Sequence, residues 1–366
     1  MKIAKVEAIP LRIPFDHGGA KTGGFGGVDW TRLDMLLVRV ETDTGLVGWG
    51  DAFAYNCRRA VQAALEDMVA PLAVGRDATD IAGLNARLQQ ELHLFGRYGI
   101  TIFAISGLDI ALWDIAGKAA GLPLYRLLGG ARRTEIPGYA SLYKYRDRDL
   151  VAEMTRRALA EGYRTIKLHE TAEPEVRAAR EAAGPDIRIT LDTNCPWTPI
   201  QAREMALRLK PYDLYWLEEP IFPPENFAAL AQLQREVGIP LAAGENATTA
   251  FQFQAMFHAG AVTFAQPSVT KVGGVTEFLK VAALAETHNV AVMPHAPYFG
   301  PGFLATLHLL ATLPEPSLVE RLYLKLGASL YGDLIDPVSG GQFRVPDGPG
   351  LGRDPDPDVI REFTVG

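Results

Sequence analysis

Side chains able to act as acids, bases or metal ligands recur at the ends of short apolar segments in the second half of the sequence. These residues are Lys167, His169, Asp192, Glu218, Glu245, Ser268, His295 and Glu320. If three neighbouring parallel strands end in Asp192, Glu218 and Glu245, their carboxylates raise one another's pKa unless a cation lies between them. Oxygen ligands without clustered Cys or His favour Mg²⁺ or Mn²⁺ over zinc. The pattern predicts a divalent metal site, and a purely structural salt-bridge network is the competing interpretation.

Candidate bases flank this predicted metal site. Lys167 and His169 are separated by one residue, so on a strand both side chains point to the same face. His295 ends a later segment, across the predicted mouth. A divalent ion on carboxylate oxygens stabilises the charge that forms when the adjacent carbon loses its proton, and a lysine adds to this effect. With a base on one face and an acid on the other, the residues predict abstraction of the proton α to a substrate carboxylate.

The elements that must position these residues are eight apolar segments alternating with amphipathic helical patterns. The segments are 136–140, 164–169, 187–192, 214–219, 240–245, 262–268, 290–295 and 317–320. Their polar ends, from His169 onward, lie 23 to 27 residues apart, which suits one strand, one loop and one helix. Continuously apolar strands indicate a parallel sheet buried on both faces. Eight strands favour a closed α/β barrel, with an open sheet as the alternative.

The first third has a different pattern, typical of an α+β domain. Apolar residues at 2–14 and 33–50 surround turn residues at 43–45, which predicts an antiparallel sheet, and helical patterns follow at 58–71, 79–92 and 101–120. The Gly- and Pro-rich tail is expected to pack against this domain. We therefore predict an α+β capping domain (1–130, completed by 330–366) and a barrel domain (131–329).

Composition limits the classes of function. The chain has 366 residues and a formal net charge of −7, with no basic run that would indicate nucleic-acid binding. No apolar stretch approaches the roughly 20 residues that cross a bilayer, and the N-terminus reads as a strand rather than a signal peptide. Two cysteines, Cys57 and Cys195, form no metal-binding spacing and are expected to be reduced thiols. We expect a cytoplasmic protein that acts on a small-molecule carboxylate.

The motifs together resemble the mandelate racemase branch of the enolase superfamily over nearly the whole chain. They are VGWG (47–50), ALWDIAGKAAGLPLYRLLGG (111–130), IKLH, LDTN, WLEEP, GEN, TKVGG, MPH and PDGPGLG. The resemblance implies a TIM-like, modified (β/α)7β barrel, a homo-oligomer and a bound Mg²⁺. It also implies a role for each matching residue: metal ligands Asp192, Glu218 and Glu245, supported by Asn194 and Glu219; acid/base residues Lys167, His169 and His295; and Glu320 as a hydrogen-bond partner of the substrate carboxylate.

Two departures from the family pattern affect the expected reaction. His169 stands where the family usually has a second lysine, and Ser268 replaces an Asp that usually pairs with the histidine of the seventh strand. Loss of that carboxylate weakens His295 as a base. Two unlike bases favour dehydration of a hydroxy acid such as an acid sugar. Racemisation or epimerisation, cycloisomerisation and a catalytically silent metal-binding barrel are the alternatives, and a Schiff-base aldolase using Lys167 is disfavoured.

Other residues are predicted to complete the pocket. Lys271 is expected to neutralise part of the carboxylate cluster, with an exposed lysine as the alternative. The Gly-rich segment 17–27 is interpreted as a flexible loop or a lid. Candidate substrate-pocket residues are Trp30, Phe53, Tyr55, Asn56, Tyr298 and Phe299. Histidines with an expected structural role are His93, His258, His288 and His308.

Overall fold

The N-terminal part of the chain forms an antiparallel sheet. A computed structural model describes residues 1–19, 30–314 and 316–366. Strands β1 (Ile3–Asp16), β2 (Arg32–Thr42) and β3 (Val47–Ala52) pair in sequence order, as the turn at 43–45 predicts. Apolar side chains on one face of this sheet form a separate core cluster with the following helices. Those on the other face, such as Leu11 and Leu37, belong to the core cluster of the barrel.

Helices follow the sheet and pack on it. Their bounds are α1 (Arg58–Ala63), α2 (Ala70–Ala73), α3 (Ile81–Glu91), α4 (Ile100–Ala120) and α5 (Leu124–Leu127), with a π-helical segment (Ala64–Val69) between α1 and α2. The VGWG motif lets α4 approach β3 closely. A Cβ atom on Gly50 would lie 1.8 Å from the carbonyl oxygen of Gly107, and one on Gly48 would lie 2.2 Å from that of Ala111. Any side chain at either position would push the helix off the sheet.

Helix α4 corrects one expectation from the sequence. An 18-residue window of this 21-residue helix has a mean hydropathy of 1.6, so the segment is long and apolar enough to cross a membrane. In the sequence Asp109, Asp114 and Lys118 interrupt the apolar run. In the folded chain 78% of its apolar window is buried. Burial on all sides is typical of a core helix, and α4 lies between the N-terminal sheet and the barrel helices.

Eight parallel strands form the second sheet. They are β4 (Glu135–Ser141), β5 (Thr165–Leu168), β6 (Arg188–Asp192), β7 (Leu214–Glu218), β8 (Leu241–Ala243), β9 (Phe264–Ala265), β10 (Ala291–Val292) and β11 (Val319–Leu322). The intervening helices are α6 (Arg148–Ala160), α7 (Glu173–Ala183), α8 (Pro199–Leu209), α9 (Phe227–Val237), α10 (Thr249–His258), α11 (Gly274–Thr287) and α12 (Pro301–Thr312). From β4 to β10 each strand pairs with its sequence neighbour, and β11 pairs with β4. This arrangement confirms the predicted (β/α)7β barrel.

The strands are shorter than the apolar segments suggested. Strands β9 and β10 have two residues each, so Ser268 and His295 lie three residues beyond the strand ends. Glu320 is the second residue of β11 rather than its end, which corrects the prediction for that position. Between β10 and β11 no pairing occurs within the described residues, so the hydrogen-bonded path is open there.

The C-terminal tail contacts both parts of the chain. Strand β12 (Lys325–Leu326) extends the N-terminal sheet beside β1, and α13 (Pro357–Phe363) also contacts β1. A 3₁₀ turn (Gly332–Ile335) separates β12 from β13 (Gln342–Arg344), which pairs with barrel strand β4. The tail therefore packs on the N-terminal sheet as expected but also returns to the barrel. The proposed domain boundaries stay a prediction.

A buried carboxylate lies where β3 faces the start of α12, and it predicts pH-dependent stability. Asp51 is 5% exposed, and its Oδ2 accepts one long hydrogen bond, 3.4 Å from the backbone N–H of Gly302. Burial raises the pKa of Asp51 to about 7. The folded state therefore holds a proton that the unfolded state has already lost, and its stability falls as pH rises from about 4 to about 7.

Replacing this carboxylate removes its share of the pH dependence. We expect the free energy of unfolding of Asp51→Asn, relative to that of the parent protein, to be larger at about pH 8 than at about pH 5. The increase between the two pH values should be on the order of 1–4 kcal/mol. Urea unfolding at both pH values measures the difference, with the exposed Asp67→Asn as the matched loss of one charge. An equal gain at both pH values contradicts a proton held by Asp51.

Candidate active site

A cavity of about 610 Å³ lies between the N-terminal domain and the carboxyl ends of the barrel strands. The walls contributed by the first domain contain aromatic side chains, and the barrel contributes charged ones. Predicted site residues in its wall are Trp30, Phe53, Tyr55, Asn56, His169, Asp192, Asn194, Glu245, Lys271, His295 and Glu320. A concave pocket with convergent charged groups is the usual form of a ligand site.

Three carboxylates converge at the base of this cavity. Oxygen atoms of Asp192, Glu218 and Glu245 all lie within 4.8 Å of one another. Asp192 and Glu218 are almost fully buried, and Glu245 is half-buried. Burial, followed by repulsion from Asp192, raises the pKa of Glu218 well above its usual value. This donor set of hard oxygen atoms fits a magnesium ion, because a divalent cation relieves that repulsion.

Lys167 lies beneath the carboxylates and is fully buried. Its Nζ is 2.7 Å from Glu218, 3.0 Å from Asp192 and 3.2 Å from Glu320. Burial favours the neutral amine, but these carboxylates outweigh burial and raise the pKa of Lys167 well above its usual value. A protonated, triply paired amine is not a nucleophile, so a Schiff-base aldolase is disfavoured on geometry as well. The position suits a fixed positive charge.

His169 follows β5 and has a defined tautomer. Its Nδ1 lies 2.6 Å from the carbonyl oxygen of Leu142, which can only accept, so Nδ1 carries the hydrogen. In the neutral ring, Nε2 is then the unprotonated nitrogen. This nitrogen lies 3.4 Å from Asp192, on the side of the ring that faces the carboxylates. The neutral ring therefore has its basic nitrogen, Nε2, on the side of the carboxylates.

His295 contacts the opposite end of the carboxylate cluster. Its Nε2 is 3.2 Å from Glu245, and its Nδ1 is 3.2 Å from both the Ser268 and the Tyr298 hydroxyl oxygens. A carboxylate can only accept, so Nε2 carries the hydrogen and Nδ1 accepts from a hydroxyl. Burial lowers the pKa of His295 to about 3. The hydroxyl pair on Nδ1 adds no negative charge, unlike the Asp expected in the family.

Glu320 is held as an acceptor at the side of the cavity. Oε1 accepts from the Ser141 hydroxyl at 2.8 Å, and Oε2 accepts from the backbone N–H of Ala296 at 3.0 Å. Burial opposes ionisation, but Lys167 and His295 outweigh it and lower the pKa of Glu320. An ionised Glu320 orients Lys167. Its predicted hydrogen bond to a substrate carboxylate requires a proton and stays a prediction.

Neighbouring polar groups fix the three carboxylates. Asn194 donates its backbone N–H and its side-chain amide to Asp192 Oδ1, at 2.9 and 3.0 Å. Lys271 is 4% exposed, with Nζ 3.8 Å from Glu245 and 4.7 Å from the centre of the Phe53 ring. Lys271 is therefore not an exposed lysine, and it lies where it can neutralise Glu245. Glu219 is buried one residue beyond β7.

Sequence reasoning missed two partners. Asn246 donates to both oxygens of Glu219, at 3.2 and 3.0 Å, and accepts from Lys271 at 3.0 Å. Trp216 donates its indole N–H to Glu218 at 2.9 Å. The signals were present, because Asn246 closes the GEN motif and Trp216 shares the face of Glu218 two residues along the strand.

The structure places part of the predicted substrate pocket elsewhere. Tyr298 and Phe299 are 3% and 2% exposed and lie behind the cavity rather than in its wall, near Asp51. Their role in the substrate pocket stays a prediction, and the Tyr298 hydroxyl lies 3.2 Å from His295 Nδ1. Residues 20–27 of the predicted Gly-rich lid (17–27) lie outside the described residues.

Comparisons with known proteins agree with this geometry. Residues 29–129 match the N-terminal domain of the mandelate racemase/muconate lactonizing enzyme family, and residues 149–359 match the enolase C-terminal domain-like family. Arabinonate dehydratase of Saccharolobus solfataricus is 32% identical, over 90% of this chain and 91% of the relative. D-galactarolactone cycloisomerase of Agrobacterium fabrum is 33% identical, over 91% and 92%.

A solved structure extends the comparison to the metal site. The structure of a racemase from Streptomyces coelicolor A3(2), described with bound magnesium, superposes with a TM-score of 0.88 at 30% identity, covering 99% of this chain and 100% of that one. Domain matches across most of the chain, together with relatives above 30% identity, establish the family. The chain is a member of the mandelate racemase/muconate lactonizing enzyme branch of the enolase superfamily.

Proposed function

We propose that this protein removes the proton α to a substrate carboxylate and eliminates water from a hydroxy acid, as an acid-sugar dehydratase. The observation that carries the proposal is the placement of two histidines, with different partners on Nδ1, at opposite ends of the carboxylate cluster. His169 Nδ1 donates to the Leu142 carbonyl, so Nε2 of its neutral ring is the basic nitrogen at the Asp192 end, and His295 Nε2 lies 3.2 Å from Glu245 at the other end. A base on one side and a donor on the other suit an asymmetric elimination.

The chain's own residues divide the reaction between them. His169 accepts the α-proton, and the electron pair of that C–H bond moves toward the substrate carboxylate. Lys167, fixed by three carboxylates, supplies positive charge at the base of the site. The C–O bond of the β-hydroxyl then breaks as the double bond forms. The departing oxygen accepts a hydrogen bond from His295 and leaves as water with the proton that His169 took up. The aromatic wall from the N-terminal domain excludes water.

Mg²⁺ is the cofactor we propose, with Mn²⁺ as the alternative, held by Asp192, Glu218 and Glu245. When bound there, the ion supplies Lewis-acid stabilisation of negative charge on the substrate carboxylate. The magnesium in the Streptomyces coelicolor racemase structure and the spacing of the three carboxylates support this assignment. A cytoplasmic homo-oligomer, and a division into a capping domain (1–130 with 330–366) and a barrel (131–329), complete the proposal.

Isotope exchange separates the steps of this reaction. In D₂O with Mg²⁺ and a panel of sugar-derived hydroxy acids, the parent protein is expected to release water and form a 2-keto product. His295→Asn is expected to lose dehydration by roughly 10²- to 10³-fold while still exchanging the α-proton, because His169 is intact. Proton NMR follows both signals in one sample.

The exposed His258→Asn is the matched control and is expected to behave as the parent protein. Deuterium exchange with inversion and no loss of water would replace dehydration with racemisation or epimerisation. Intramolecular ring opening or closure without water loss would indicate a cycloisomerase, an activity carried by the Agrobacterium fabrum relative. Mg²⁺ binding without exchange on any substrate would indicate a silent barrel.

A further inference from the structure

Two basic side chains that neither the metal site nor the proton transfers use lie in the wall of the cavity. Lys144 and Arg146 belong to the loop between β4 and α6, and both line the cavity together with Tyr143. Lys144 is half-buried and Arg146 is exposed. Neither side chain forms an ion pair with any residue in the described part of the chain. Glu170 and Asp192 attract Lys144 only from beyond ion-pair distance, so the pair is open to a negatively charged ligand.

The loop that carries these cations is held rigidly. The carboxylate of Glu170, 2% exposed, accepts the backbone N–H of Tyr145 at 2.7 Å and that of Arg146 at 3.1 Å. Arg146 has φ of 56°, a left-handed conformation that residues with a side chain disfavour. The Tyr145 hydroxyl also donates to the carbonyl oxygen of His17 at 2.8 Å. A preorganised loop fixes where the two cations stand relative to the metal site.

The carboxylates of the cavity already have other partners. Asp192 and Glu320 contact Lys167, and Glu245 contacts His295 and Lys271. Neutralising the metal site therefore does not require the Lys144–Arg146 pair. Burial, then repulsion from Arg146, lowers the pKa of Lys144. An anion bound between the two cations stabilises the buried charge and offsets the repulsion.

We propose that Lys144 and Arg146 bind a second carboxylate of the substrate, so that the substrate is a hydroxy diacid. The proposal rests on the function proposed above. One carboxylate of the diacid binds at the Asp192–Glu218–Glu245 site, and the other binds at the Lys144–Arg146 pair, with the hydroxylated chain between them. A monoacid that ends in CH₂OH offers this pair only a neutral hydrogen-bond partner.

Binding measurements test this inference without relying on turnover. Sugar-derived hydroxy diacids, and the monoacids with CH₂OH in place of the far carboxylate, are titrated into the full-length protein with Mg²⁺ by calorimetry. The best diacid is expected to bind about tenfold or more tightly than its monoacid. Lys144→Met is expected to weaken diacid binding roughly 10- to 100-fold and monoacid binding less than about threefold. Lys144→Arg is expected to restore most of the difference, since the charge returns.

The matched control is Arg148→Met, which removes an exposed cation from the start of α6, outside the cavity. It is expected to leave both affinities unchanged. Equal binding of diacid and monoacid by the parent protein overturns the inference. Equal losses for both ligands in Lys144→Met, or no diacid binding at all, also overturn it. The proposed dehydration is tested separately by water loss in D₂O, so either proposal can fail while the other stands.

Discussion

Glu218→Gln is expected to abolish catalysis and to weaken Mg²⁺ binding more than any conservative change outside the cluster. The substitution keeps the size of the side chain but removes one of three anionic oxygen donors. A bound divalent ion stabilises the developing charge by several kcal/mol, so we expect kcat/KM to fall by roughly a thousandfold or more. Calorimetric titration of Mg²⁺, and activity after chelation and metal return, measure the two effects.

The variant is expected to stay folded, which makes the result interpretable. Lys167 keeps Asp192 and Glu320 as partners at 3.0 and 3.2 Å. The amide oxygen of Gln can still accept from the Trp216 indole, which lies 2.9 Å from Glu218 in the parent protein. The loss of one anion also relieves the repulsion from Asp192. A circular dichroism melt close to that of the parent protein therefore accompanies the lost activity.

Glu277→Gln is the matched control, because Glu277 is also a buried glutamate with several hydrogen bonds. Glu277 lies on α11, where it accepts from Gln89 and from the backbone N–H of Ala250, away from the carboxylate cluster. Its replacement is expected to leave the Mg²⁺ affinity unchanged. Mg²⁺ affinity within about twofold of the parent value in Glu218→Gln would show that Glu218 is not a ligand.

The carboxylate cluster and the barrel were predictable because strand geometry is periodic. Polar residues recur every 23 to 27 positions at the ends of apolar segments, and this spacing predicted seven helices between eight strands. Because neighbouring strands pair, Asp192, Glu218 and Glu245 lie close together. The same reasoning placed Lys167 and His169 on one face. These predictions required only the position of each side chain along its strand.

The remaining features depend on loops, whose geometry has no period. The side chains of Tyr298 and Phe299 turn behind the cavity because the chain bends sharply after His295, and no pattern in MPHAPYFG indicates this. The tautomer of His169 depends on the carbonyl group of Leu142, a backbone atom 27 residues away. The basic pair in the β4–α6 loop could not be predicted from the sequence either. Its position depends on the loop conformation that Glu170 stabilises by accepting two backbone N–H groups.

His169→Gln is expected to remove proton abstraction while the metal site survives. The amide of Gln can replace the hydrogen bond to Leu142 but has no basic nitrogen, so exchange of the α-proton should fall by roughly 10²- to 10⁴-fold. Because His169 lies 3.4 Å from Asp192 and is not one of the proposed ligands, Mg²⁺ affinity should change little. Deuterium incorporation by proton NMR and Mg²⁺ titration by calorimetry, performed on one protein preparation, give both values.

Comparison with Lys167→Met decides which of the two residues is the base. Methionine leaves three buried carboxylates without their common cation, so this variant is expected to lose on the order of 3–5 kcal/mol of stability in the absence of Mg²⁺ and to regain part of it when the ion binds. His169→Gln should show no such dependence, and the exposed His258→Gln should change neither exchange nor stability. If His169→Gln exchanged the α-proton at the parent rate and a folded, Mg²⁺-bound Lys167→Met did not, the base would be Lys167, and its ion pairs would have to open during the reaction.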